Sequence, residues 1–485
     1  MKKAILLLCM AAGLMSCAKE VLNPQGENPQ NEGVPMTFNV TVLETKAAKT
    51  GWADGDKIYV FFNGLATKYL VLTFDGTEWA NTSGGGTLLD TDFSGLGTKT
   101  LTAVHFPVAV NVSYAGSKFS FTSGGKPVYN YYLYETDKAY TVDGTTVNAA
   151  LSMGKPADMV QIHVAGIQGN VGNYTFGCSK IRPVACASVG TNGVITESLL
   201  QAGARLSGVA DSDGGIFAGR LVYPDVAKDY KFTLASNTQI YTLTRNDKTL
   251  TAGKIYNFPS LSTTGGSNWS VQNVSDLYVD LNLTVDGKKI YWAKCNLGAT
   301  SETEYGDYFA WGETTGYKEG KTNFDWSTYA WGNESRALTK YCKDSSYGKD
   351  GFTDGLTTLL PEDDAAYAAL GGKFRMPTHA ELEALRSLTT INWVDNYKDS
   401  GINGLTFTRN GQTIFLPAAG YRDGSYLSSG GMLGGYFSSS NEGTADPAEA
   451  WGLNFFFNPI SSTTTVAEAK VTRAIGCSIR PVFSN

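Results

Sequence analysis

Residues 36–260 alternate between apolar and polar positions, with the period of two that is typical of β-strands. Asp-Gly pairs at 75–76 and 143–144 separate apolar runs, and such pairs favour tight hairpin turns. No long run in this region has the 3.6-residue period of a helix. Short strands with regularly spaced turn residues predict β-sandwiches. We therefore expect one sandwich at 36–155 and a second at 156–260.

The pattern changes after residues 261–276, a Ser/Thr/Gly-rich segment that we interpret as a linker. Residues 277–485 predict hairpins at Asp-Gly 286–287 and Asn-Gly 410–411. They also contain a helical run at 360–372, with proline and acidic residues at its start and glycine at its end. This segment is predicted to form an α+β domain with few, short helices.

The run KFRMPTHAELEAL, at 373–385, predicts the second helix of this domain. Thr378 and Glu381 have the spacing of a capping box, in which each side chain accepts a hydrogen bond from the other residue's backbone N–H. Leucines at 382, 385 and 388 mark the buried face. His379 has no part in this pattern. We interpret the run as a helix start rather than as an active site.

The N-terminus has the pattern of a bacterial lipoprotein signal peptide. Two lysines precede the apolar run AILLLCMAAGL, which is too short to span a bilayer. The following LMSC fits a lipobox, which predicts a signal peptide at 1–16 and a lipid-modified Cys17. The polar segment 17–35 is expected to be a flexible tether. An ordinary secretory peptide is the alternative. The chain is thus expected to be held in the outer membrane by lipid and exposed at the cell surface.

The composition of the chain excludes one class of function and indicates several domains. The 485 residues are 42% hydrophobic and 17% charged, with a net charge of -6. A length of this size predicts several domains. The acidic balance and the lack of a Lys/Arg cluster after the N-terminus exclude a typical nucleic-acid-binding surface.

The cysteines leave the disulfide pattern open. Five cysteines follow the signal region, at positions 178, 186, 295, 342 and 477. An odd number in an exported protein allows at most two disulfides. Cys178 could pair with Cys186, and Cys477 with Cys342 or Cys295. The alternative is that several are buried free thiols.

The sequence does not favour an enzyme. His105, His163 and His379 are far apart and lack the spacing of a zinc site. There is no nucleophile-elbow motif and no phosphate-binding loop. Glycine runs at 83–87 and 428–435 lack the strand-to-helix context of a phosphate cradle. We therefore expect no catalytic residues, no metal and no cofactor.

The run EYGDYFAWGE is the best candidate for ligand binding. Its carboxylates and aromatic rings are Glu304, Tyr305, Asp307, Tyr308, Trp311 and Glu313. Carboxylates beside aromatic faces suit a sugar, whose C–H face is apolar and whose hydroxyl groups need acceptors. Calcium ligation is one alternative, and packing of the rings in the core is another. The acidic run 362–364 is interpreted as N-terminal charge of a helix rather than as a calcium site.

Residues 49–62, KTGWADGDKIYVFF, and 250–258, LTAGKIYNF, resemble the fimbrillin-like families (Mfa-like and major fimbrial subunit type) of Bacteroides-type bacteria. The resemblance covers about 36–260 and implies two β-sandwich domains of transthyretin-like topology. In pilus-forming members, cleavage after a basic residue removes the first strand, and a strand of the next subunit replaces it. Lys46 and Lys49 are the nearest basic positions here.

Residues 277–485 resemble the FISUMP domain, the Fibrobacter succinogenes major paralogous domain. The matching motifs occur in order: WAKCNLGAT, EYGDYFAWGET, FRMPTHAELEAL, IFLPAAGYRDG and GCSIRPV. This resemblance covers nearly all of 277–485 and implies a C-type-lectin-like fold related to formylglycine-generating oxidases. Those oxidases need two closely spaced cysteines near their last strands. Only Cys477 lies there, so copper-dependent oxidation is disfavoured.

Together, these features predict a lipid-anchored surface protein, of the fimbrial tip, accessory or adhesin type. Expected partners are outer-membrane lipid through Cys17, other fimbrial subunits by strand addition, and a glycan or host-surface ligand of the C-terminal domain. One alternative is a lectin-fold enzyme that is related to formylglycine-generating oxidases or that processes glycans. Another is a structural lipoprotein without a ligand.

Overall fold

The computed structural model describes residues 33–43, 51–178, 180–222, 230–245, 249–261, 269–441 and 446–484. The predicted lipidation site Cys17 and the predicted processing positions Lys46 and Lys49 lie outside these ranges. Among the helices that are described, none is long and apolar enough to cross a membrane. The described residues are mainly β, as the alternating pattern predicts.

The first segment of the chain consists of short strands. Its elements are β1 (Thr37–Val42), β2 (Lys57–Phe62), β3 (Tyr69–Phe74), β4 (Trp79–Gly84), α1 (Asp90–Ser94), β5 (Thr100–His105), β6 (Asn111–Ala115), β7 (Lys118–Thr122), β8 (Leu133–Ala139), β9 (Thr141–Asp143) and β10 (Thr146–Leu151). β3 pairs with β4, and β9 with β10, in antiparallel hairpins. The predicted Asp-Gly turns are therefore confirmed.

The middle segment is built in the same way. Its strands are β11 (Met159–Ala165), β12 (Thr175–Gly177), β13 (Ile181–Arg182), β14 (Val184–Gly190), β15 (Ile195–Leu199), β16 (Leu206–Ser207), β17 (Val209–Ala210), β18 (Gly214–Leu221), β19 (Tyr230–Ala235), β20 (Gln239–Arg245), β21 (Ile255–Phe258) and β22 (Ser270–Asn273). β22 lies in the segment that we predicted to be a linker. It pairs with β20, and the residue before it, Trp269, is only 5% exposed and packs in the second core.

Two sheets, β4-β3-β2-β5-β8 and β15-β14-β7-β6, enclose the first core. The ring centroids of Phe61 on β2 and Phe119 on β7 are 4.6 Å apart across it. β14 and β15 come from the second predicted half, and β14 pairs with β7. The hairpin 184–199 therefore belongs to the first sandwich, although the predicted boundary at 155/156 assigns it to the second.

The second sandwich has the sheets β13-β18-β11-β21 and β16-β12-β19-β20-β22. Phe176 on β12 stacks on Phe217 on β18, with centroids 5.2 Å apart. These rings belong to a separate hydrophobic cluster of buried residues. The two cores are thus distinct, although one hairpin of the middle segment belongs to the first.

The C-terminal segment mixes strands with two helices. Its elements are β23 (Tyr278–Val285), β24 (Lys288–Ala293), α2 (Ala365–Leu370), β25 (Phe374–Arg375), α3 (His379–Leu388), β26 (Thr390–Val394), β27 (Gly404–Arg409), β28 (Gln412–Pro417), β29 (Tyr421–Asp423), β30 (Tyr426–Ser428), β31 (Leu433–Asn441), β32 (Glu449–Asn458), β33 (Thr463–Thr472) and β34 (Val482–Ser484). Both predicted hairpins are present, β23–β24 and β27–β28. The sheet β23-β24-β34-β25 joins the beginning and the end of this segment.

Short 3₁₀ helices lie between strands and helices of the middle and C-terminal segments, at Val171–Asn173, Val274–Leu277, Tyr317–Glu319, Lys349–Gly351, Pro361–Asp363 and Tyr397–Asp399.

Both predicted α-helices begin with side-chain caps. The Asp364 carboxylate accepts hydrogen bonds from the backbone N–H groups of Ala366 (2.9 Å) and Tyr367 (3.0 Å) at the start of α2. It also accepts one from the N–H of Met376 (2.9 Å). Asp364 of the acidic run therefore caps the helix, whereas Asp363 binds Gln201, Lys340 and Tyr341.

The capping box of α3 is confirmed. The Thr378 hydroxyl accepts from the Glu381 N–H at 3.3 Å, and the Glu381 carboxylate accepts from the Thr378 N–H at 2.8 Å. Arg375 adds two hydrogen bonds to the same carboxylate, at 2.7 and 2.6 Å. Arg375 thus holds Glu381 in position, which the pattern alone did not show.

We expect Thr378→Ala to lower the free energy of unfolding by about 1 kcal/mol, because it removes the acceptor for one N–H of the first turn. Urea-induced unfolding measures this change. Ser387→Ala is the matched control on the same helix. Its hydroxyl donates to the Glu383 carbonyl oxygen, a bond that adds little to helix stability. Equal midpoints for the two variants would contradict the role of the cap.

Arg205 joins the second sandwich to the C-terminal segment. Its guanidinium donates to the carbonyl oxygens of Thr233 on β19 (3.2 Å) and Ala369 on α2 (2.7 Å). Burial lowers the pKa of Arg205 to about 10, so it stays charged at neutral pH. Gly371 permits the close approach, since a Cβ there would lie 2.7 Å from the Cβ of Ala235.

Gln201 provides a second polar contact between the same two parts. Its amide nitrogen donates to the Gly312 carbonyl oxygen (2.8 Å) and to the Asp363 carboxylate (2.6 Å). Its amide oxygen accepts from the Thr314 N–H at 3.3 Å. Because both ends of the amide are bonded, the C-terminal segment has a defined position on the second sandwich.

The five described cysteines, Cys178, Cys186, Cys295, Cys342 and Cys477, are free thiols. None of the disulfide pairs that we considered from the sequence is formed. Four of the five are buried, and burial raises the pKa of Cys178 to about 12. Cys178, Cys186 and Cys477 act as small apolar side chains of the cores, which was the alternative interpretation.

Candidate functional site

A cleft of about 490 Å³ opens on the C-terminal segment. Tyr305, Tyr308 and Tyr317 line it, together with Arg422 and Glu304. The tyrosines come from the irregular chain that follows β24, whereas Arg422 lies on β29. Two distant parts of the segment therefore form one surface.

The Arg422 guanidinium lies against two aromatic rings of the cleft. Its central carbon is 3.2 Å from the Tyr317 ring centroid and 5.1 Å from that of Tyr308. Its backbone is held by the Gly476 carbonyl oxygen, which accepts from the Arg422 N–H at 2.7 Å. The stacked cation is therefore pre-organised on its ring.

The donors of Arg422 are incompletely used. One terminal nitrogen donates to the Ser425 carbonyl oxygen at 3.2 Å. The Nε–H is buried and makes no hydrogen bond with the described residues. Because the Nε–H is shielded from solvent, the terminal nitrogens are the donors that can bind a carboxylate or a sugar hydroxyl.

The hairpin β29–β30 supplies an apolar rim. Tyr426 is 78% exposed and Leu427 is 42% exposed, and Leu427 lines the cleft. Exposed aromatic and aliphatic side chains beside a pocket are typical of binding surfaces. These two side chains therefore extend the apolar surface of the cleft into solvent.

Tyr308 and Glu304 differ in what they offer a ligand. The Tyr308 hydroxyl donates to the Ala419 carbonyl oxygen at 2.6 Å, and burial raises its pKa. The residue is only 4% exposed, so its ring forms the base of the cleft rather than an open face. Glu304 accepts from the Thr300 N–H (2.8 Å) and hydroxyl (2.9 Å), bonds that lower its pKa. It remains an exposed carboxylate at the edge of the cleft.

The other three candidates of the run EYGDYFAWGE lie inside the fold. Trp311 is fully buried and donates to the Ser438 carbonyl oxygen at 2.8 Å. The buried Glu313 carboxylate is 2.7 Å from the Lys321 ammonium group. The Asp307 carboxylate accepts from the N–H groups of Tyr308 (2.7 Å) and Lys318 (2.9 Å), and burial raises its pKa. These side chains have structural partners, so the run divides into a cleft part and a core part.

His379 has a structural contact as well. Its ring stacks on Trp451 with centroids 4.0 Å apart. Tyr317 and Arg422, by contrast, belong to the cleft but were not candidates in the sequence. No local pattern identifies them, because the cleft depends on β29 lying beside the chain after β24.

No family model and no curated protein matches this chain. Several solved structures are similar to it at low scores. A fimbrial protein from Bacteroides ovatus has 11% identity and a TM-score of 0.24, with 94% of this chain and 100% of that chain covered. The fimbrial anchor protein Mfa2 from Porphyromonas gingivalis has 13% identity and a TM-score of 0.22, with 42% of this chain and 78% of that chain covered.

Proposed function

We propose that this chain is a lipid-anchored surface protein, of the fimbrial accessory or adhesin type, whose C-terminal segment binds a carbohydrate. The observation that carries the proposal is the cleft of about 490 Å³, with the part-exposed rings of Tyr305 and Tyr317 and the stacked Arg422. Aromatic faces bind the apolar face of a sugar ring, and the guanidinium and carboxylate bind its polar substituents.

The lipid anchor at Cys17 and the lectin-like fold of 277–485 are parts of the proposal that rest on the sequence motifs. Attachment near the N-terminus agrees with a ligand site in the last segment, because the two sandwiches then separate lipid and cleft along the chain. The bonds of Arg205 and Gln201 support a fixed position of the C-terminal segment on the second sandwich.

Strand addition by another fimbrial subunit is a second part of the proposal. β1 is an edge strand that pairs only with β10 among the described strands, in parallel, from Thr37↔Thr146 to Val42↔Leu151. Phe38 packs on Phe62 and Phe93, with centroids 6.0 and 6.3 Å away. Removal of β1 would uncover β10 and this aromatic groove, which a strand of another subunit could fill.

A glycan array probed with the whole chain tests the proposed ligand class. We expect selective binding to a subset of glycans, and binding at least about tenfold weaker for Tyr317→Ala and Arg422→Met, because each removes one of two stacked groups. Parallel arrays with and without calcium test whether the ion takes part.

Tyr347→Ala is the matched control for the cleft. Tyr347 also stacks with an arginine, Arg336, whose central carbon is 4.6 Å from the ring centroid, but neither residue lines the cleft. The Tyr347→Ala variant should bind glycans as strongly as the unchanged chain. No glycan binding, or equal binding by the cleft variants and the control, would contradict the proposal.

A further inference from the structure

A second polar cluster lies on the second sandwich, away from the cleft. It consists of His163, Asp211 and Asp213, whose ligand atoms all lie within 4.8 Å of one another. The His163 Nε2 is 3.0 Å from a carboxylate oxygen of Asp213 and 3.9 Å from one of Asp211. One imidazole nitrogen therefore faces two carboxylates.

The fold brings these three side chains together. His163 is on β11, which pairs with β18, and the residues 211–213 form the turn between β17 and β18. Ala165 on β11 pairs with Gly214, the residue directly after that turn. The turn therefore lies over the end of β11 that carries His163.

Backbone contacts fix the turn in this position. The Asp211 N–H donates to the Gly214 carbonyl oxygen at 3.0 Å, and the Gly166 N–H donates to the Asp213 carbonyl oxygen at 2.7 Å. A Cβ on Gly214 would lie 2.0 Å from the Val164 carbonyl oxygen, so only glycine permits this approach. The two carboxylates are thus held by a backbone with little freedom.

The His163 Nε2 lies within ion-pair distance of both carboxylates but makes no aligned hydrogen bond with either. The His163 Nε2 is shielded from solvent and makes no hydrogen bond with the described residues. Although Asp213 is near, the nitrogen is therefore not directed at its oxygen. The Ser212 N–H donates to one oxygen of Asp211 at 2.7 Å, and the other oxygen is the one nearer His163. The imidazole nitrogen and the two carboxylates thus present three metal-ligand atoms within 4.8 Å of one another.

We propose that His163, Asp211 and Asp213 bind a divalent transition-metal ion of the zinc class. Zinc takes imidazole nitrogen and carboxylate oxygen at about 2.0–2.2 Å, usually with four ligands. Ligand atoms about 3–4 Å apart suit such a centre after small side-chain movements. Calcium prefers oxygen ligands only, so the imidazole selects against it. Water completes the coordination at this solvent-facing turn. The ion links β11 to the β17–β18 turn.

Calorimetric titration of the whole chain with zinc chloride, after treatment with a chelator, tests the site. We expect one zinc ion per chain. Asp213→Asn should weaken binding at least about tenfold, because it removes a charged ligand while the Asp213 side chain, 63% exposed, has no role in the core. His163→Ala should abolish binding at this site. Calcium chloride in place of zinc should bind more weakly than zinc, because the imidazole is a poor calcium ligand.

His379→Ala is the matched control, since it removes a histidine that stacks on Trp451 and is not part of the cluster. Its affinity for zinc should equal that of the unchanged chain. The proposal is overturned if the unchanged chain does not bind zinc, or if Asp213→Asn binds it as tightly. It is also overturned if calcium binds at least as tightly as zinc.

Discussion

Replacing Arg473 with methionine is expected to lower the free energy of unfolding by about 3 kcal/mol or more. The side chain is fully buried. Its guanidinium donates to the Tyr329 hydroxyl (2.9 Å) and to the carbonyl oxygens of Lys340 (3.1 Å), Tyr341 (3.2 Å) and Pro447 (2.9 Å). Methionine retains most of the apolar volume but removes these donors, and among the described residues only the Tyr341 carbonyl oxygen keeps another, the Asn441 side-chain amide at 3.0 Å.

The effect of Arg473→Met should spread into the packing around Trp311. The guanidinium carbon is 4.7 Å from the Trp311 ring centroid, so the substitution also removes a stacked cation. Urea-induced unfolding, followed by tryptophan fluorescence, measures both the stability and this local change. Near-UV circular dichroism of the folded state should change as well.

Arg336→Met is the matched control for Arg473→Met. Arg336 is exposed, and its guanidinium lies over the Tyr347 ring. A surface substitution of this kind is expected to change stability by no more than about 0.5 kcal/mol. If both variants unfold at the same urea concentration, the buried guanidinium does not hold the irregular chain of the C-terminal segment together.

Arg205→Met is expected to separate the unfolding of the C-terminal segment from that of the sandwiches. The substitution leaves the carbonyl oxygens of Thr233 and Ala369 without their donor at a buried boundary. Helix carbonyl groups near a C-terminus lack partners within the helix, so α2 depends on this external donor. Differential scanning calorimetry should show two transitions, the earlier one belonging to the C-terminal segment.

Limited proteolysis provides an independent measure of the same effect. In Arg205→Met, the segment between β22 and β23 should be cut faster, because its two neighbours move apart more often. Arg336→Met again serves as the control and should keep the cleavage rate of the unchanged chain. A calorimetric profile of Arg205→Met that matches this control would show that Gln201 and the apolar contacts are sufficient for docking.

Local chemistry explains the elements that the sequence predicts correctly. The hairpins at 286–287 and 410–411 need two consecutive residues with positive φ. Asp286 and Gly287 have φ of 50° and 74°, and Asn410 and Gly411 have the same values. Asx-Gly pairs adopt that conformation at low cost. The capping box of α3 likewise depends on two residues three positions apart.

Contacts between distant residues explain what the sequence does not show. The hairpin 184–199 has the alternation of any strand pair, and only its pairing with β7 places it in the first sandwich. β22 has the composition of a linker, yet burial of Trp269 orders it. The sheet that a strand joins depends on which apolar faces meet, a property that no short window of sequence contains.

The cleft also combines features that the sequence predicts with features that only tertiary contacts decide. The run EYGDYFAWGE by itself determined that carboxylates and rings would lie close together, and alternation determined a mainly β chain. Only the tertiary structure decided that Tyr305 and Tyr308 line the cleft while Trp311 is buried, and that Arg422 stacks on Tyr317. Spacing along a chain specifies local hydrogen bonds and turns. The side of an irregular segment that faces solvent depends on the elements that pack against its other side.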